Sequence, residues 1–200
     1  IVAALAVLYV GVLLFIKVRE DSYVFKPRRG PYGPLPEDLA PFTERLTLRT
    51  SDGVSLAAFA VAAERNPAEA PWLLYLHGNG AHLAVPGRLE RFRLWRGMGL
   101  NILALDYRGY GESGGEPTEA GLYLDARAAY RWLRDTKGIP PHKIVLLGGS
   151  LGSTVAVDLA TEDELAGLIL EGTLISTARV GQDRYPLWPI DRIAKNRFDA

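Results

Sequence analysis

The chain has 200 residues, of which 48% are apolar, and its 23 lysines and arginines are balanced by 23 aspartates and glutamates. This balance argues against a nucleic-acid-binding protein, which usually carries an excess of basic residues. The sequence contains no cysteine, which excludes disulfides, thiolate catalysis and cysteine-ligated zinc within these residues.

The first segment, Ile1 to Ile16, is apolar except for Tyr9 and Gly11. A membrane-spanning helix needs about 20 apolar residues, and we expect the start of this run to be missing from the chain. A signal peptide would need a small-residue cleavage site, which residues 17–21 do not offer. A buried soluble helix would show a polar stripe. The pattern therefore favours a transmembrane anchor over residues 1–18.

A short basic cluster follows this anchor, at Lys17, Arg19, Lys26, Arg28 and Arg29. Basic residues next to a span favour the cytoplasmic side, so we expect a single-pass protein with its main domain in the cytoplasm. The same cluster could contact anionic lipid head groups, and a solvated juxtamembrane linker explains it at least as well. Five prolines between residues 27 and 41 indicate an extended linker over residues 19–43.

Strands and helices then alternate, which is typical of a parallel sheet with right-handed crossovers. Alternating or continuous apolar runs predict strands, and apolar residues at helical spacing predict helices. Thr118 is the expected N-cap of the helix that we predict at residues 118–137. We predict strands at residues 44–50, 54–62, 72–76, 101–105, 144–147 and 168–170, and helices at residues 86–98, 118–137 and 153–160.

Three motifs follow predicted strands: HGNG at residues 77–80, DYRGYGES at residues 106–113 and GGSLG at residues 148–152. In the last motif a serine, Ser150, lies on a strand-to-helix turn and is flanked by glycines. A turn this tight leaves no room for nearby Cβ atoms, and it lifts the serine hydroxyl clear of the backbone. An ordinary serine N-cap is the alternative explanation for GGSLG alone.

Together the three motifs resemble the α/β-hydrolase family, and more narrowly its membrane-anchored serine hydrolases, over Leu46 to Asp199. The resemblance implies a mostly parallel eight-stranded sheet with helices on both faces, of which about six strands can be counted here. It assigns residues 44–200 to a partial hydrolase domain. It also implies hydrolysis of acyl esters, thioesters or amides, with no cofactor or metal and with a small-molecule or lipid-derived acyl substrate.

The motifs assign roles to individual residues. Ser150 is the expected nucleophile, and the amides of Leu151 and Asn79 are the expected donors of an oxyanion hole. His77 is expected to hold the HGNG loop by hydrogen bonding. The other supporting residues are Gly78, Gly148 and Gly152.

The chain lacks an obvious base for this serine. In the family the triad follows the order serine, acid, histidine, yet His77, His82 and His142 all precede Ser150. We expect the acid and the histidine to lie beyond residue 200, which would leave the 200 residues inactive by themselves. The alternative is an inactive homologue that serves as a binding or scaffold protein at the membrane.

The remaining candidates carry weaker expectations. Asp106 is expected to brace the Arg108–Gly109 turn, and Glu171 to be a structural carboxylate rather than the catalytic acid. We expect His82 and His142 to face solvent. Four arginines of the first predicted helix suggest a solvated face (Arg88, Arg91, Arg93 and Arg96). Three apolar residues are expected either to line a pocket for the acyl group or to pack a cap helix against the rest of the hydrolase domain (Tyr185, Leu187 and Trp188).

Overall fold

A computed structural model describes residues 1–199, so that Ala200, the last residue of the predicted hydrolase domain, lies outside the described part of the chain. The first element is a helix, α1, at Val2–Val24. Its apolar window has a mean hydropathy of 2.2 and is not buried against the rest of the protein. By length and composition α1 is a candidate for a membrane span, although a signal sequence passes the same test.

The centre of the fold is a six-stranded mixed sheet with the order β1-β2-β4-β3-β5-β6. The parallel part consists of β4, β3, β5 and β6, and antiparallel pairings join β1 to β2 and β2 to β4. The strands are β1 Thr43–Arg49, β2 Ser55–Val61, β3 Trp72–Leu76, β4 Asn101–Leu105, β5 Ile144–Gly149 and β6 Gly167–Glu171. The predicted α/β class and six countable strands are confirmed, with boundaries shifted by one or two residues.

Five further helices follow or separate the strands. They are α2 Pro86–Gly97, α3 Glu119–Arg131, α4 Leu151–Glu162, α5 Thr177–Arg184 and α6 Ile190–Ile193. The helix predicted to continue to residue 137 changes to a wider π turn at Trp132–Thr136. The sequence does not predict α5 or α6, because helices of eight and four residues are too short for a helical pattern to stand out.

Successive side chains of a strand point to opposite faces of the sheet. Apolar side chains therefore lie on both faces, and helices pack against each of them. In β3, Leu73 and Tyr75 join the cluster that holds Phe92 and Trp95 of α2. Leu74 and Leu76, in contrast, join the cluster that contains α3 and α4. At one edge of the sheet both faces of β6 are uncovered, since its residues 168–170 are each 38–46% exposed.

The proline-rich segment before β1 packs on the body. Tyr32 is 8% exposed and Leu39 only 1%, and Asp38 forms an ion pair with Arg93 of α2, with 2.5 Å between carboxylate oxygen and Nε. Residues 25–42 therefore form part of the domain surface although they contain little regular secondary structure.

The predicted solvated arginine face of α2 is wrong. Arg91 lies 4.7 Å from the centroid of the Trp95 ring, and Arg96 lies 3.9 Å from that of Phe42. Arg93 pairs with Asp38, and Arg88 donates to backbone carbonyls of the HGNG loop. The sequence does not reveal these contacts, because a long arginine side chain can lie along the protein surface and pack there even when its backbone position faces solvent.

The predicted cap of α3 is present, since Thr118 Oγ1 accepts a hydrogen bond of 3.1 Å from the amide of Gly121. We expect Thr118→Ala to lower the free energy of unfolding by about 1 kcal/mol, because the amide of Gly121 in the first turn loses its hydrogen-bond acceptor. Urea denaturation measures this. Thr118→Ser keeps the acceptor and serves as the matched control, so an equal loss in both variants would contradict a capping role.

Candidate active site

Ser150 lies on the sharp turn between β5 and α4. Its backbone has φ +50° and ψ −118°, an unusual conformation for a residue with a side chain, and the residue is exposed. Two backbone bonds fix the turn: the amide of Ser150 donates to the carbonyl of Glu171 at 2.8 Å, and that of Ser153 donates to the carbonyl of Ser150 at 2.9 Å. The geometry presents the hydroxyl at the carboxyl end of the sheet.

The glycines of the turn permit close backbone approaches. A Cβ on Gly152 would lie 2.1 Å from the carbonyl oxygen of Leu76 and 2.6 Å from that of His77. A Cβ on Gly148 would lie 2.4 Å from the carbonyl oxygen of Gly152. Real Cβ atoms do not approach an oxygen this closely. Glycine is therefore required at position 152 by the packing of α4 against the end of β3, and at position 148 by the close approach of α4 to β5.

The HGNG loop lies directly beside Ser150. A Cβ on Gly78 would lie 3.1 Å from Ser150 Cβ and 3.0 Å from the carbonyl oxygen of Gly149. A side chain at position 78 would force the two loops apart by a few tenths of an ångström. The turn of Ser150 and the loop that carries Asn79 are thus brought together at one edge of the sheet.

Interior donors orient the backbone of the HGNG loop. The carbonyl oxygen of Gly78 lies 2.7 Å from His77 Nδ1 and accepts from Arg88 Nη2 at 3.2 Å; the same nitrogen donates to the carbonyl of Gly80 at 2.9 Å. In a trans peptide the N–H points opposite to the C=O, so the amide of Asn79 is directed away from Arg88. Among residues 1–199, neither this amide nor that of Leu151 donates to another group.

A buried network supports the same loop. The ring of His77 is fully buried, and its Nε2 lies 3.1 Å from Asp106 Oδ1. Burial lowers the pKa of His77, while the Asp106 carboxylate opposes that shift. Asp106 also accepts from the amide of Leu83 at 3.0 Å and from the hydroxyl of Tyr32. Burial, followed by the charge of Asp106, raises the pKa of Tyr32.

The prediction that Asp106 braces the Arg108–Gly109 turn is wrong. Buried Asp125 of α3 performs that task, since its carboxylate accepts from the Arg108 amide at 2.8 Å and from Nε at 2.9 Å. Burial raises the pKa of Asp125 to about 6, with Arg108 acting in the opposite direction. The signal that could have identified Asp125 is its place at helical spacing between Leu122 and Ala129, on the apolar face of α3.

The other titratable candidates face solvent or have partners other than the serine hydroxyl. His142 is exposed in the turn before β5, at the opposite end of that strand from Ser150. His82 is half-buried rather than solvent-facing, because its ring packs 5.4 Å from that of Tyr32. Glu171 pairs with Arg91 at 2.6 Å, which fits the structural carboxylate that we expected. Among residues 1–199, no group of three His, Asp or Glu side chains could hold a metal ion.

The proposed pocket residues lie on the outer surface. Tyr185 is 57% and Leu187 88% exposed. The ring of Trp188 stacks on Tyr9 of α1, with 5.4 Å between ring centroids. These side chains therefore contact the N-terminal helix or solvent rather than the hydrophobic core.

Comparison with known proteins agrees with this architecture. The sequence profile of the α/β-hydrolase fold family matches residues 71–197. The chain belongs to the α/β-hydrolase family. An uncharacterized protein of Mycobacterium tuberculosis is 33% identical over 200 residues, which are 100% of this chain and 70% of that protein. Protein bem46 of Schizosaccharomyces pombe is 34% identical over 182 residues, 87% of this chain and 60% of its own length.

Solved structures share the same fold. An esterase of Pyrococcus furiosus superposes with a TM-score of 0.66 at 24% sequence identity, covering 84% of this chain and 68% of the esterase. Membership of the family and this fold support a hydrolase activity in general terms.

Proposed function

We propose that this chain belongs to a membrane-anchored serine hydrolase that cleaves acyl esters, thioesters or amides. One observation carries the proposal: an exposed serine in a strained turn lies beside a second loop, with Gly78 close enough that an added Cβ would be 3.1 Å from Ser150 Cβ. Backbone strain of this kind concentrates at functional sites. The arrangement supports an acyl carbonyl that binds between the two loops.

In this proposal Ser150 Oγ attacks the carbonyl carbon of the substrate while a base takes the hydroxyl proton. The carbonyl oxygen becomes an oxyanion that faces the amides of Leu151 and Asn79, and each such donor typically lowers the barrier by roughly 3 kcal/mol. The N-terminus of α4 adds a favourable partial positive charge. The leaving group then departs with the proton, and water hydrolyses the acyl-enzyme.

The mechanism needs a general base. His77 is engaged below the HGNG loop with Gly78 and Asp106, and His142 lies at the far end of β5. His82 Nδ1 already accepts from the amide of Ala84 at 3.2 Å. We therefore assign the base and its acid partner to residues outside this chain, following the family order of serine, acid and histidine. The 200 residues alone are expected to be inactive.

We further propose that α1 is a single-pass anchor. Its exposed apolar surface supports membrane insertion, and the basic residues that follow it favour a catalytic domain on the cytoplasmic side. We keep residues 1–18 as anchor, 19–43 as the connecting segment and 44–200 as part of the hydrolase domain. An anchored site favours a lipid-derived acyl substrate, with a small soluble ester as the alternative.

A fluorophosphonate probe on the full-length protein tests the proposal. The serine oxygen displaces fluoride from phosphorus, so the labelled peptide is expected to contain Ser150, and Ser150→Ala should abolish the label. Ser51→Ala is the matched control, because Ser51 is exposed in an ordinary turn. Labelling that survives Ser150→Ala contradicts the assignment, and an unlabelled wild-type protein favours the inactive scaffold.

The orientation of the oxyanion loop gives a separate prediction. We expect Arg88→Met to lower kcat roughly 10- to 100-fold with little change in KM, because the carbonyls of Gly78 and Gly80 lose a common donor and the Asn79 amide loses its direction. Steady-state kinetics of the full-length protein measure this. Arg93→Met on the same helix removes surface ion pairs with Asp38 and Glu90, which lie away from the HGNG loop, and should leave kcat within about twofold. Equal effects of the two substitutions would contradict the role of Arg88.

A further inference from the structure

The C-terminal end of α1 is bonded to the loop that would form the oxyanion hole. The side chain of Asn79 makes three hydrogen bonds. Its Nδ2 donates to the carbonyl of Val24 at 2.5 Å. Its Oδ1 accepts from the amide of Lys26 at 2.9 Å and from the hydroxyl of Tyr110 at 2.8 Å. Two of these three partners belong to the end of α1 and the residues just after it.

The contact continues along the chain beyond α1. Pro27 forms a parallel bridge with Ala81, immediately after the HGNG loop, and Arg29 forms one with Gly111 of the DYRGYGES motif. The amide of Gly30 donates to the carbonyl of Gly111 at 3.0 Å. The segment from residue 24 to residue 30 thus runs along both motif loops like an added strand.

The last turn of α1 is also held from its other side. Glu20 is only 7% exposed, and its carboxylate accepts from the amide of Asn196 at 2.7 Å. Asp21 accepts from Asn196 Nδ2 at 2.8 Å. The ring of Phe25 packs edge-on against that of Phe198, with 6.0 Å between centroids. Because the end of α1 is bonded on both sides, a displacement of this helix end would also displace the loop that contains Asn79.

We propose that the end of α1 is a positioning element of the active site, which holds the oxyanion loop through the side chain of Asn79. This inference rests on the proposed function, because the amide of Asn79 is one of the two proposed oxyanion donors. Misplacement of a catalytic group by about 1 Å can cost roughly 100-fold in rate. A change in the tilt of α1 in the bilayer would therefore shift the Asn79 amide relative to the reacting carbonyl group.

Two substitutions break the same bond from opposite sides. Asn79→Ala removes the acceptor of the Lys26 amide together with the bonds to Val24 and Tyr110, and it keeps the backbone amide. Lys26→Pro removes the donor, and the preceding Phe25 already has φ −96° and ψ 137°, which a following proline tolerates. We expect each to lower kcat roughly 10-fold or more with KM changed less than about twofold. If both act through one bond, the double variant should be no slower than the slower single variant.

The measurement uses the full-length protein in phosphatidylcholine vesicles, with kcat and KM for a p-nitrophenyl acyl ester and the fluorophosphonate labelling rate. Ser22→Ala is the matched control, because this exposed hydroxyl donates only to Arg19 within α1. It should keep the wild-type kcat. Near-ultraviolet circular dichroism establishes that each variant is folded.

The outcomes separate the two proposals. If the wild type is labelled at Ser150 and both variants keep its kcat, the positioning role is overturned while the proposed function stands. If the wild type is not labelled at all, the proposed function itself fails. Should Asn79→Ala not fold, Tyr110→Phe replaces it, since it removes only the hydroxyl that donates to Asn79. Unchanged kcat in Tyr110→Phe and Lys26→Pro overturns the inference equally.

Discussion

Replacing Ser150 with alanine is expected to lower acyl hydrolysis by the full-length protein on the order of 10⁶-fold, as the removal of a serine nucleophile does in another serine hydrolase. The hydroxyl is the only group that we propose to form a covalent bond with the substrate. Alanine fits the space of the serine, so the turn, with its bond to the Glu171 carbonyl, should persist. Steady-state kinetics and a thermal melt on the same sample separate loss of chemistry from loss of fold.

Ser153→Ala is the matched control for this substitution. Ser153 is buried one helical turn beyond Ser150, and its Oγ donates to the carbonyl of Ser150 at 2.5 Å. We expect Ser153→Ala to lower kcat less than tenfold, because the lost hydrogen bond contributes about 1 kcal/mol. A Ser150→Ala enzyme that retains the activity of Ser153→Ala would show that another group is the nucleophile.

Gly152→Ala is expected to destabilise the protein by roughly 3 kcal/mol or more and to disrupt the site at the same time. The added methyl would lie 2.1 Å from the carbonyl oxygen of Leu76 and 2.6 Å from that of His77. Both atoms belong to the backbone at the end of β3, where side-chain rotation cannot relieve the overlap. α4 must therefore move away from the sheet and carry Leu151 with it. Urea denaturation measures the change in the free energy of unfolding.

Gly87→Ala provides the comparison, because Gly87 is also helical but an added Cβ would meet nothing within 4 Å. There alanine should be neutral or stabilise α2 by up to about 1 kcal/mol, through its higher helix propensity. Similar free energies of unfolding for the two variants would mean that α4 does not approach β3 as closely as described.

Much of the fold was accessible from the sequence, because its strands are strongly apolar and each motif follows a strand. The run Ile144 to Leu147 predicted β5, and the glycines around Ser150 predicted the tight turn. The HGNG motif predicted a loop at the same sheet edge. Local patterns of this kind carry the information because the backbone conformation of each turn depends on the residues within it.

Contacts between distant segments were not accessible in the same way. The carboxylate of Asp106 accepts hydrogen bonds from Tyr32 and from the amide of Leu83, and it lies 3.1 Å from His77 Nε2. Asp125 lies 17 residues beyond Arg108, which it braces. The proline content of residues 27–41 predicts an extended linker, and it does not reveal that Pro27 and Arg29 bridge to the motif loops. Sequence periodicity reports which side of an element is apolar and does not report which polar group a side chain will meet.

The exposed outer strand β6 has a further consequence. Its Leu168, Ile169 and Leu170 are each more than a third exposed, and among residues 1–199 the strand pairs only with β5. Such a strand offers free N–H and C=O groups to any second strand. A polypeptide of these 200 residues is therefore expected to self-associate as its concentration rises, and its solubility should depend on a partner strand that covers β6.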